Sequence, residues 1–230
     1  MTTPTTTRLN KYLALQLGIS RREADEYIAS GRVTVNSRPA VLGAHVSPDD
    51  IITVDNTLVA HTATYAYILF HKPVGYVCSR KKQGDADTIY TLLPPELQEL
   101  KPVGRLDKDS SGVLLLTNDG DFAHRMTHPS FHKQKTYEVT LDKELSPLHQ
   151  QMISDYGVQL DDGPSKLQLE RLSDQHRTTW RILMHEGRNR QIRRTFAALG
   201  YEVTALHRTQ FGNYTLGDIR AGMYVTTNIS

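Results

Sequence analysis

Val103-Gly104-Arg105-Leu106-Asp107-Lys108-Asp109-Ser110-Ser111-Gly112-Val113-Leu114-Leu115-Leu116-Thr117 passes from a glycine turn, through a polar loop, into an unbroken apolar run. Residues 112–117 predict a buried strand, because a short apolar run entered through a turn suits the inside of a sheet. Asp107 lies in the loop ahead of that strand. An acid at the mouth of a rigid sheet is where a reactive carboxylate can be held in place, although an isolated Arg-x-Asp more often decorates a solvated turn.

Around this strand, β-type runs recur at 65–70, 135–141, 166–172, 178–184 and 202–205. The first of these is closed by Lys72-Pro73-Val74-Gly75. Helical patterns fall at 122–127, 146–156 and 189–199, the last ended by Gly200. Strands outnumber helices and do not alternate with them. The expected class is therefore α+β, with a mixed, largely antiparallel central sheet flanked by helices. No glycine-rich phosphate loop, dinucleotide fingerprint or internal repeat is present.

The first sixty residues follow a different plan. Leu9, Tyr12, Leu13 and Leu17 recur at helical steps up to Gly18, and Ser20 with Glu23 forms a capping box for a second helix burying Ala24, Tyr27 and Ile28. Arg32-Val33-Thr34-Val35-Asn36 alternates as a strand, Asn36-Ser37-Arg38-Pro39 turns, and residues 51–54 return. The organisation expected is a disordered tail at 1–7, a small domain at 8–55, a linker at 56–64 and a larger domain at 65–230.

Composition narrows the class. The net charge is only +2 and hydrophobic residues are 38% of the chain, enough for a core when patterned as above. Charge is nonetheless concentrated: Arg181, Arg188, Arg190, Arg193, Arg194 and Arg208 face only Glu186 and Glu202 in the same span, a patch suited to phosphates or, more commonly, a solvated face. Cys78 is the single cysteine, so an intramolecular disulfide and a multi-thiolate zinc site are both excluded. No stretch approaches the ~20 apolar residues that span a bilayer, and the start has neither the basic head nor the apolar run of a signal peptide. A cytoplasmic, monomeric protein without a membrane partner is expected.

Three more stretches accompany the Asp107 loop in order: Lys135-Thr136-Tyr137, then Glu186-Gly187-Arg188-Asn189-Arg190-Gln191-Ile192-Arg193-Arg194, then Leu206-His207-Arg208. Together the four resemble the RsuA/RluA-type pseudouridine synthases, and the RsuA branch in particular (RsuA, RluB, RluE and RluF), because Arg190 stands where the RluA branch has a histidine. His71-Lys72-Pro73 departs from the Asn-Lys-Pro of many members. The N-terminal pattern resembles the αL RNA-binding module of a small-subunit ribosomal protein, in which the second helix and the following loop lie against RNA. Asp49, Asp50 and Asp55 leave only one face of that module to be basic.

The resemblance implies an enzyme that isomerises a specific uridine of ribosomal RNA, with a lean toward the large-subunit RNA from the run 188–194. A catalytically inactive RNA-binding or ribosome-assembly factor on the same scaffold is the alternative. It further implies Asp107 as the catalytic carboxylate, Arg193 as its ion-pair partner, Tyr137 stacked on the target base, Leu206 against the base's other side, and Arg105 in the gap left by the flipped nucleotide. RNA-binding groups are expected at Lys11, Arg21, Arg22 and Arg32 in the first domain, and at Lys135, Arg188, Arg190, Arg194 and Arg208 in the second. The isomerisation involves no redox change and no group gained or lost, so no cofactor is expected. His124, His128 and His132 recur at four-residue steps, but Pro129 breaks a helix through all three. No metal is assigned to them.

Overall fold

Leu9, Tyr12 and Leu13 on one helix meet Ala24 and Ile28 on the next, and both helices pack on Val33 and Ile52. These residues form the core of the first of two compact units, 1–65 and 66–230, of the computed structural model. The structure describes residues 6–60 and 64–228. The first helix, Leu9–Leu17, stops where Gly18 turns left-handed at φ 68°. The second, Arg21–Ala29, begins at Ser20, whose hydroxyl accepts from the Glu23 amide at 3.1 Å while the Glu23 carboxylate accepts from the Ser20 amide.

Four short antiparallel strands complete this unit in the order Arg38–Pro39, Val33–Val35, Ile52–Val54 and Thr57–Leu58. Asn36-Ser37 and Asp55-Asn56 each take positive φ at both residues, the backbone that matches the twist of a tight hairpin. Two expected boundaries move as a result. Thr7, assigned to the tail, pairs with Val46, and Thr57–Leu58, assigned to the linker, form a strand followed by the buried Val59. The remainder of the tail at 1–5, and 61–63 of the linker, lie outside the described residues.

The second unit is built on one sheet. Its neighbours run Gln168–Arg171, Thr179–Met184, Lys135–Leu141, Val203–Phe211, Ser111–Thr117, Tyr67–Lys72 and Tyr224–Thr226, with Lys101–Val103 and Tyr214–Thr215 paired off this path. The Ser111–Thr117 and Val203–Phe211 pair is parallel, while the other pairings in the sheet are antiparallel. This is the mixed, largely antiparallel α+β architecture expected. Asp119 starts the helix Gly120–Thr127 by accepting from the Asp121 and Phe122 amides, and its second oxygen accepts from the Tyr67 hydroxyl at 2.9 Å. The helix Pro147–Gln151 passes into a π turn at Met152–Tyr156 and ends at Gly157, φ 82°.

The strand expected at 202–205 continues to Phe211. His207, Arg208 and Gln210 look like loop residues, yet each lies between two partner strands, while Thr209 is left over at a bulge opposite Thr136 and Tyr137. Gly112 marks the crossing. A Cβ there would lie 2.1 Å from the Arg208 carbonyl oxygen, so the parallel strands approach as they do only because residue 112 has no side chain.

Candidate active site

Residues 104–110 form the loop between Lys101–Val103 and Ser111–Thr117, opened by Gly104 at φ 70°. The Leu106 amide donates to the Cys78 sulfur at 3.5 Å, the Lys108 carbonyl accepts from the Gly75 amide at 2.8 Å, and the Ser110 amide donates back to the Asp107 carbonyl at 3.1 Å. Beneath the loop lies Lys72, fully buried. Its ammonium donates to the carbonyls of Pro73, Asp107 and Ser110 at 3.0, 3.0 and 2.7 Å. The backbone of the proposed acid is thus fixed from below by a single cation.

Burial lowers the Lys72 pKa to about 8, with the Asp107 and Asp109 charges opposing that shift. In the sequence, Lys72 reads only as the end of a strand. A signal was nevertheless present: alternation puts Lys72 on the same face as Ile68 and Phe70, where a lysine needs partners.

The Asp107 side chain faces a cavity of about 330 Å³. Segments far apart in sequence converge on it: 104–107, Tyr137 and Met184 on neighbouring strands, the loop 187–190 with the start of the helix Gln191–Ala197, and Leu206. Tyr137 and Leu206 are buried in its wall, and Arg105 lies exposed at its edge. The four stretches singled out in the sequence therefore meet at one place, with Asp107, Tyr137, Leu206, Arg105 and Arg193 all lining it.

The ion pair differs from expectation. Among the described residues, the cation within 4 Å of the Asp107 carboxylate is Arg190, whose Nη1 is 3.7 Å from Oδ2 and 3.5 Å from the Asp109 carboxylate. Arg193 donates instead to the Val203 carbonyl at 2.6 Å and the Asp109 carbonyl at 2.9 Å, and its buried Nε has no partner. Burial, then the neighbouring Arg190 charge, lower the Arg193 pKa, opposed by Asp109 and Asp107. Both arginines thus lie in the field of the acid, but Arg190 makes the contact assigned to Arg193. The two stand three residues apart, nearly one helical turn, and which guanidinium the backbone carbonyls take up depends on tertiary placement.

The other basic groups of this unit are mostly tied inward. Arg208 is buried; its Nε donates to the Val113 carbonyl at 2.8 Å, its Nη1 reaches the Tyr137 hydroxyl at 3.5 Å, and its guanidinium lies 4.9 Å from the Phe211 ring centre. It does not face RNA as expected, because the strand carrying it runs through the middle of the sheet. Arg188 and Arg194 both clamp Asp162, at 2.8 and 2.7 Å, and Arg188 also binds the carbonyls of Gly163 and Pro164. They fasten the hairpin of Val158–Leu160 and Gly163–Ser165 to the loop over the cavity. Lys135 is half-buried with its ammonium on the Glu186 carbonyl at 3.2 Å, and burial lowers its pKa.

In the first unit, Arg21 and Arg22 are exposed at the start of the second helix and Lys11 is half-buried on the first. Arg32 is paired through its Nε with Asp55 at 2.9 Å and lies 3.9 Å from the Tyr27 ring centre. The pair raises the arginine pKa and lowers that of the aspartate. Of the three spaced histidines, His124 and His128 have ring centres 4.7 Å apart, whereas His132 lies beyond the helix end in a left-handed conformation. Among the described residues no three His, Cys, Asp or Glu side chains converge on a point that could hold a metal.

Comparison with known proteins matches residues 66–198 to a family described as RNA pseudouridylate synthase, and residues 7–52 to the S4 domain. The chain is 36% identical over 212 residues to a ribosomal small subunit pseudouridine synthase A of Yersinia pestis, covering 92% of this chain and 90% of that protein. It is also 36% identical over 220 residues to a ribosomal large subunit pseudouridine synthase B of Bacillus subtilis, covering 94% and 89%. A dual-specificity RNA pseudouridine synthase RluF of Salmonella typhi shares 35% over 224 residues, covering 96% and 76%. A crystal structure of a pseudouridylate synthase superposes with a TM-score of 0.67 at 32% identity, covering 96% of each chain.

Proposed function

Because this chain belongs to the RNA pseudouridylate synthase family, carries an S4 domain and is a ribosomal RNA pseudouridine synthase, we propose that Asp107 is the carboxylate on which its reaction turns. The observation that carries this reading is the convergence of Asp107, Tyr137, Leu206 and Arg190 on one cavity from four separated segments. The bond from the sugar C1′ to N1 of the base breaks, the freed uracil rotates, and C1′ rejoins at C5. The C5 proton leaves and N1 gains one, so atoms and charge balance without a co-reactant.

The groups divide the work. An ionised carboxylate at Asp107 serves either route to cleavage, attack on C1′ or removal of a sugar proton. Arg190 offers a compensating charge beside it, and Lys72 holds the loop that carries it. Tyr137 and Leu206 supply flat and apolar walls for a uracil detached from its sugar. A uridine within folded RNA must leave its stack to arrive here, at a cost of about a few kcal/mol offset by contacts in the pocket. Arg105, exposed at the edge, is placed to occupy the gap left behind.

The substrate proposed is a uridine of large-subunit ribosomal RNA, on the strength of the run Arg188-Asn189-Arg190-Gln191-Ile192-Arg193-Arg194. The relatives' names include both subunits. Incubating the protein separately with unmodified small- and large-subunit RNA transcripts, then mapping pseudouridine, tests this. Modification confined to the large-subunit transcript supports it, and modification confined to the small-subunit transcript contradicts it.

A further inference from the structure

Beside the active-site cavity lies a second groove of about 790 Å³, larger than the first, between the strand Gln168–Arg171, the π turn Met152–Tyr156 and the loop 129–132. Met184 lines both. The chain that walls the groove at His185 and Glu186 passes directly into the Gly187-Arg188 loop over Asp107. The groove therefore adjoins the loop that covers the catalytic pocket.

Its lining suits a base. Leu167 and Leu169 give an apolar floor, and His185 offers an exposed imidazole locked by a 2.9 Å contact between its Nδ1 and the His132 carbonyl. His132 holds a positive φ of 46°, a backbone seldom adopted by residues other than glycine and one that clusters at functional sites. Ser154 also borders the groove, with its hydroxyl oxygen turned inward, sealed from solvent and without a hydrogen-bond partner among the described residues. It sits on a π turn, itself an irregularity found mostly at functional positions. Lys166 stands exposed at the edge as a phosphate partner. Asp155 and Glu186 on the rim disfavour a phosphate deep in the groove and favour the amino edge of a base there.

We propose that this groove is a second nucleotide subsite, taking an unpaired base of the substrate strand adjacent to the target uridine, stacked on His185 over the Leu167 and Leu169 floor. The inference rests on the reading of Asp107's cavity as the uridine pocket. It would make recognition depend on a flanking unpaired nucleotide as well as on the uridine.

The test uses the full chain and a ribosomal RNA fragment carrying the mapped target, assayed by tritium release from C5 of uridine. Expected for His185→Ala is a KM raised roughly tenfold, about the worth of one stacked base, with kcat retained. His185→Phe, which keeps a flat ring, should restore KM. An abasic residue at one flanking position should impose the same rise on the parent and add nothing to His185→Ala. If abasic residues at every flanking position leave the parent's KM unchanged, or if the two penalties add in full, the subsite is refuted while the catalytic reading stands. A parent that releases no tritium would instead overturn the catalytic reading and this inference with it.

Discussion

Arg190 and Arg193 occupy neighbouring turns of one short helix start, yet they face different tasks. Arg190, at the N-cap with φ 47°, reaches the half-buried Asp107 carboxylate and the exposed Asp109 carboxylate, and such partly exposed pairs contribute only about 0–1 kcal/mol to stability. Arg193 fills the donor need of the Val203 carbonyl, in a part-buried bond, as well as that of the exposed Asp109 carbonyl, and leaving a buried acceptor unmade costs about 1–3 kcal/mol. Arg190→Ala should therefore lower single-turnover rate on the order of 10²-fold, as loss of an aimed charge does, with an unchanged urea midpoint. Arg193→Ala should show the reverse emphasis, losing about 1–3 kcal/mol in urea unfolding. Equal effects of both variants on rate and stability would contradict this division. Sequence located both residues at the site, since their motif is contiguous. It could not say which one binds the acid, because carbonyls from 109 and 203 decide that, and neither carbonyl has a signature in the chain.

At the scale of elements, the loop bearing Asp107 depends on what lies beneath and behind it. Lys72 must be protonated to donate to all three carbonyls, and its pKa is about 8. Activity should fall as pH rises through that value, with the limb removed in Lys72→Met. Stability should move the other way. The folded pKa lies below the ordinary lysine value of about 10.5, so the unfolded chain binds more protons between the two, and stability gains from about pH 8 upward. A pH–rate profile flat to pH 9 would contradict the role given to Lys72.

Gly112→Ala tests the strand crossing: with a Cβ 2.1 Å from backbone, the parallel pair must separate, and a loss of at least about 1–3 kcal/mol is expected. A thermal midpoint equal to the parent's would show that the strands can part freely. The apolar run at 112–117 and the alternating β-branched and aromatic run at 135–141 were legible because their own composition and period decide them. The three-residue strands Lys101–Val103 and Tyr224–Thr226, and the polar extension to Phe211, were not, since only the neighbouring strands make them strands.

For the whole molecule, two units with separate cores divide the work between catalysis and added hold on RNA. The first unit's helices and capping were readable from period and caps. Its edge was misplaced because Thr57–Leu58 and Val59 have no pattern until Ile52–Val54 is beside them. Removing residues 1–60 should weaken binding to structured ribosomal RNA and flatten its salt dependence by about 0.7–0.9 per lost phosphate contact in the log–log slope. Identical affinity and slope for the shortened chain would assign the S4 domain another purpose.

If Asp107 carries the isomerisation of uridine, as proposed, Asp107→Asn abolishes it. The change keeps the shape of the side chain and removes its charge. Purified parent and variant, each in excess over unmodified ribosomal RNA, should bind with the same dissociation constant. Under single-turnover conditions the parent should convert one uridine to pseudouridine while the variant converts none. Comparable rates of pseudouridine formation by the two proteins would contradict the claim.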